Sequence, residues 1–81
     1  MRSNEYFIVF PEGDVQESTG RLSINQIVDL NGNPIPLPIA NARIIAFRVE
    51  KVTVKENRGG TETYHYLGLV SVSELASYVR H

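Results

Sequence analysis

The chain contains no cysteine and only two histidines, His65 and His81. Disulfides and thiolate metal sites are therefore excluded, and a structural zinc site would need carboxylate help. The lack of cysteine fits a reducing compartment, so a cytoplasmic location is expected. Long apolar runs are missing too. The five-residue run at 6–10, "YFIVF", falls far short of a membrane span. It also lacks the longer apolar region and small-residue cleavage site of a signal peptide. No membrane partner is expected.

No G-x-x-x-x-G-K-[ST], G-x-G-x-x-G or H-E-x-x-H occurs, and no Gly-rich nucleophile turn surrounds the scattered serines. The expectation is a protein that is not an enzyme and carries no cofactor or metal. Net charge is −1, so the molecule as a whole is not an electrostatic trap for nucleic acid. Internal repeats and low-complexity segments are absent as well.

What is present describes one small domain spanning residues 1–81. Hydrophobic residues make up 42% and charged residues 21%, ordinary for a globular protein. A chain of this size buries only roughly 60% of its unfolded surface, so a folded monomer is marginal. With disulfides excluded, self-association gains weight. Charge is uneven. Arg2 and Arg21 stand against Glu5, Glu12, Asp14, Glu17 and Asp29 in residues 1–42. Arg43, Arg48, Lys51, Lys55 and Arg58 outnumber Glu50 and Glu56 in residues 43–58.

Residues 5–10, "EYFIVF", are aromatic and β-branched and predict a first strand closed by Pro11. The acidic, turn-rich 11–20 reads as a solvated loop. Residues 22–30 alternate, with Leu22, Ile24, Val28 and Leu30 on one face, and predict a half-buried strand. Asn31-Gly32 signals a two-residue hairpin turn. That register sets Val28 opposite Ile35 and leaves Pro34, Pro36 and Pro38 at positions that need no N–H toward the partner. Strand 33–39 would then be a proline-guarded edge, unsuited to strand addition. The P-x-P-x-P spacing does not match the P-x-x-P of polyproline ligands.

Residues 43–56 and 61–71 predict a long hairpin around the turn "NRGG". Its alternation changes phase between Val49 and Val52, which a β-bulge at Glu50-Lys51 repairs. The expected pairs are Val54 with Tyr64, Val52 with Tyr66, Val49 with Gly68 and Phe47 with Val70. Val72, Leu75, Ala76 and Val79 then recur at helical spacing, Ser71 and Glu74 match a capping box, and Arg80 suits the helix end. His81 is expected to fray.

The fold class expected is mainly β: a five-stranded antiparallel rolled sheet with a short C-terminal helix. In strand order and length it resembles small SH3-like and OB-like barrels. Diagnostic motifs of the Sm, cold-shock, PilZ and SH3 families are absent.

In that register Arg48, Thr53, Lys55, Thr63, His65, Leu67 and Leu69 share one face of the long hairpin. His65 is a half-exposed strand residue opposite Thr53. Leu67 and Leu69 make "YLGLV" apolar on both faces, so the helix or another copy of the chain should cover one of them. The candidate binding residues are Arg48, Lys51, Lys55, Arg58, Tyr64, His65, Tyr66, Leu67 and Leu69. The function expected is a binding module for a protein partner or for a second copy of itself. The alternative is a nucleic-acid-binding barrel in which the basic side chains flank Tyr64 and Tyr66.

Overall fold

Pro11-Glu12-Gly13 reverses the chain directly after the first apolar run. In the computed structural model, which describes residues 3–79, Gly13 N–H donates to the Phe10 carbonyl and Phe10 N–H to the Asp14 carbonyl, both at 2.8 Å. Proline suits the first central position of a type I turn, and Gly13 follows it at φ 102°, the left-handed residue of a three-residue hairpin loop. The loop joins β1 (Ser3–Val9) to β2 (Val15–Ser18), with Val9 opposite Val15 and Phe7 opposite Glu17. Residues 11–20 are thus a loop plus a short edge strand. None of the four β2 side chains is buried, so hydrophobic alternation carried no signal there.

The same loop recurs at Leu30-Asn31-Gly32. Gly32 N–H donates to the Asp29 carbonyl at 3.0 Å, Asp29 N–H donates to the Asn33 carbonyl at 2.9 Å, and Gly32 has φ 80°. Asp29 Oδ1 also accepts from the N–H groups of Asn31 and Asn33. The loop therefore has three residues, not the two expected, and Val28 bridges Pro34 rather than Ile35. Pro34 keeps the expected non-hydrogen-bonded position, and Ile35 N–H reaches the Ile27 carbonyl at 3.0 Å. Farther on, the pairing ends. Ile39 N–H donates to the Tyr78 carbonyl instead, so 33–39 contributes isolated bridges and not a continuous strand.

The expected strand 22–30 also shortens, to β3 (Ile27–Val28). Ser23–Gln26 form a local turn, with Asn25 at φ 72° and Ser23 N–H bonded to Gln26 Oε1. The cause is tertiary: Leu22 is drawn inward, its N–H donating to His65.

β4 (Phe47–Asn57) and β5 (Gly60–Leu69) form the long hairpin, and its bulge falls between Val49 and Lys51 as the phase change requires. The register differs by one residue. Only Arg58-Gly59 form the loop, so Val54 faces Thr63, Val52 faces His65, Val49 faces Leu67 and Phe47 faces Leu69. Because strand side chains alternate, this slip turns all of β5 over relative to expectation. Gly60, at φ 140°, is required at the turn: a Cβ there would run into the Ser3 carbonyl of the neighbouring strand.

The strands form one sheet in the order β2-β1-β5-β4-β3. β1 runs parallel to β5, with Ile8 beside His65, so the sheet is mixed. It is mainly β, curled into a half-barrel, with one short C-terminal helix, α1 (Val72–Ser77). Ile8, Phe10, Leu22, Val28, Phe47, Val49 and Leu67 pack together across its inner face. A second cluster, Ile27, Ile39, Ala46, Val70 and Leu75, lies on the outer face at the end where α1 docks. Ser71 caps α1 by accepting from Glu74 N–H at 3.2 Å. Leu75 is the helix's buried residue, whereas Val72 and Ala76 are exposed. The expected roles of Arg80 and His81 lie outside the described residues.

Candidate interaction surface

Strand register decides which side chains face outward. His65 does not: it is fully buried on the inner face, and so is Leu67, at 0% and 5% exposure. Both of the imidazole nitrogens of His65 are engaged. A backbone N–H can only donate and a carbonyl can only accept. Leu22 N–H therefore donates to Nε2 at 3.0 Å, and Nδ1 carries the proton and donates to the Phe7 carbonyl at 2.8 Å. The ring is neutral in this arrangement, with no nitrogen left for a ligand. It ties β5 to β1 and to the loop crossing the inner face, and Tyr6 stacks beside it at 6.5 Å. His65 and Leu67 leave the candidate set as structural residues.

Arg48 is likewise committed internally. Its Nη1 donates to Glu74 Oε1 at 3.0 Å and its Nη2 to the Tyr78 hydroxyl at 3.0 Å, and Arg48 and Glu74 form an ion pair. Glu74 is thereby held over β4 and makes only one half of the expected capping box. Leu69 is 66% exposed, but it sits at the far end of β5 opposite Phe47, on the other side of the strand from Tyr64 and Tyr66. Arg58 occupies the exposed hairpin tip.

The remaining candidates line up in rungs across the outer face. One rung carries Glu5, Glu62 and Lys55 on β1, β5 and β4. The next carries Glu17, Phe7, Tyr64 and Thr53 on β2, β1, β5 and β4. The third carries Val15, Val9, Tyr66 and Lys51. Phe7 and Tyr64 stack with centroids 5.0 Å apart, and Lys51 Nζ lies 5.8 Å from the Tyr66 ring centre. The Tyr64 hydroxyl donates to Glu62 Oε2 at 3.2 Å. Partial burial, reinforced by this bond to a carboxylate, raises the Tyr64 pKa above its ordinary value of 10.0. Beyond the third rung, the Glu50 carboxylate lies over Gly68, where a Cβ would collide with it.

The structure thus brings Lys51, Lys55, Tyr64 and Tyr66 together and adds Phe7, Val9 and Val15. Phe7 and Val9 were legible only in part: "EYFIVF" is apolar at consecutive positions, which marks a strand with two apolar faces, but nothing in it names the neighbour of each, and Val15 falls in the segment read as a solvated loop.

A family model described as "Uncharacterised Treponema protein" matches residues 2–78. The chain belongs to that family. No curated protein and no solved structure matches it.

Proposed function

We propose that this member of the Treponema family is a non-enzymatic interaction module that docks a protein partner on the outer face of β2, β1, β5 and β4. The observation carrying this reading is an apolar centre in which half-buried Phe7, Val9 and Tyr64 lie beside exposed Val15 and Tyr66, between side chains of opposite charge. Val15 is 57% and Tyr66 39% exposed. Helix α1 covers the outer face only near Val70 and Ala46, leaving this centre open. Aromatic centres with a polar rim are typical of protein interfaces. Glu5, Glu17 and Glu62 border the aromatic side chains as closely as Lys51 and Lys55 do, which disfavours a polyanion and suits a partner whose charges run in the opposite sense.

A photo-crosslinking residue at Val15, introduced in cells, tests the reading. A discrete protein adduct is expected at Val15, absent at Arg58, and lost when Tyr66→Ala is added. Adducts of equal yield at both positions would count against it. Steeply salt-dependent binding of single-stranded oligonucleotides, lost in Lys51→Glu/Lys55→Glu, would replace it with the nucleic-acid alternative.

A further inference from the structure

The edges of the sheet are guarded unequally. Beside Phe47–Val49, β4 is covered: β3 pairs with it there, Asn25 N–H donates to the Val49 carbonyl, and Val49 N–H donates to the Gln26 carbonyl. Pro34 and its neighbours follow outside β3. After the bulge, nothing equivalent among the described residues lies beside β4. Val70 N–H donates to the Ala46 carbonyl, which fixes the phase of the β4–β5 ladder. Carried through the bulge, that phase aims the backbone N–H and C=O of Lys51, Thr53, Lys55 and Asn57 at β5. Those of Val52, Val54 and Glu56 aim outward, and among the described residues no backbone hydrogen bond reaches them. Val54 is 52% exposed. This is an open strand edge, and an open edge is a template for another strand.

We infer that the strand it accepts is β4 of a second copy, antiparallel, with the two-fold axis at Val54. The charge pattern of β4 accepts its own copy in one register. Hydrogen-bonded pairing joins outward residues to outward residues, so a two-fold axis must pass through one residue. Centring on Thr53 sets Lys51 opposite the second copy's Lys55. Centring on Lys55 or Glu56 sets like charges against themselves. Centring on Val52 drives the second copy's chain into 25–28, which already covers Val49. Only Val54 remains. Val54 then faces its own copy, Val52 faces Glu56, Thr53 faces Lys55 and Lys51 faces Asn57. No like charges are directly opposed, and that condition favours pairing. The edge is separate from the outer face, so this inference and the proposed function stand or fall independently.

The absence of native cysteine makes single-cysteine scanning clean. Directly opposed hydrogen-bonded residues have Cα atoms about 5.5 Å apart, within disulfide reach. Val54→Cys is therefore expected to cross-link to a covalent dimer under mild oxidation. Glu56→Cys, whose copies lie several residues apart along the strands, should not. Sedimentation velocity should show a concentration-dependent dimer that Val54→Pro abolishes and Phe7→Ala leaves intact. The proline removes only an outward N–H, and circular dichroism checks that the fold survives. If Val54→Pro fails to fold, the cysteine pair decides alone. Equal cross-linking at positions 54 and 56, or a monomer at every concentration, overturns the inference.

Discussion

The two faces of this sheet are closed by different means. The inner face is covered along the barrel by chain that crosses it: Leu22, the Gly32 loop packed on Ile8, and Val28. Its one buried ring of mixed character, His65, is held by backbone groups on both sides. The outer face is closed at one end only, where Leu75 inserts against Ala46 and Val70 and Arg48 holds Glu74 and Tyr78. The inner face shows how a short chain stabilises itself. The open part of the outer face is apolar surface that this fold does not use.

The sharpest way to break this contrast is His65→Ala. It leaves a cavity and strips the partners from Leu22 N–H and the Phe7 carbonyl, at a cost of about 4 kcal/mol. A domain of this size is stable by roughly 4–12 kcal/mol in all, so the urea midpoint should fall by about a third at the least and reach zero denaturant at the lower end of that range. Leu75→Ala empties the smaller outer cluster and should cost about 3 kcal/mol, with the urea midpoint falling less than for His65→Ala. Equal losses would mean that the two faces contribute alike.

Tyr64→Phe should have the smallest effect and one tied to pH. The fold raises the Tyr64 pKa, so its contribution to stability is present below the ordinary value of 10.0 and is lost as pH rises through the raised folded value. Near neutral pH the variant's urea midpoint should match the parent's. Above pH 10 its stability should fall less steeply. Absorbance titration of the phenolates should show a step above the ordinary value of 10.0 that Tyr64→Phe removes.

Much of the fold was legible because some signals are local. The phase change between Val49 and Val52 located the bulge, the helical spacing and Ser71 located α1, and the proline spacing located the non-hydrogen-bonded position of Pro34. The candidate site was less legible. Of its β4 members, Lys55 points outward as expected, and Lys51, at the expected bulge, joins it opposite Tyr66. On β5 the one-residue slip exchanged Thr63, His65 and Leu67 for Tyr64 and Tyr66. The turn explains the slip: "NRGG" holds two adjacent glycines, and the one needed at the strand start is chosen by the approach of Ser3, a residue 57 positions away along the chain. The three-residue length of the loop at Leu30-Asn31-Gly32 was missed for a related reason. Asn-Gly supports a two-residue turn with both residues left-handed, or a longer loop with only glycine left-handed, and nothing local separates the two.

By itself, then, the sequence determined the β class, the strand-forming runs, the bulge and the capped helix, because propensity, alternation and capping act over a few residues. Tertiary structure decided the parallel docking of β1 on β5, the register of each hairpin, and therefore which aromatic side chains face solvent. Register is set by backbone approach and packing between segments far apart in the chain, and a shift of one residue exchanges the two faces.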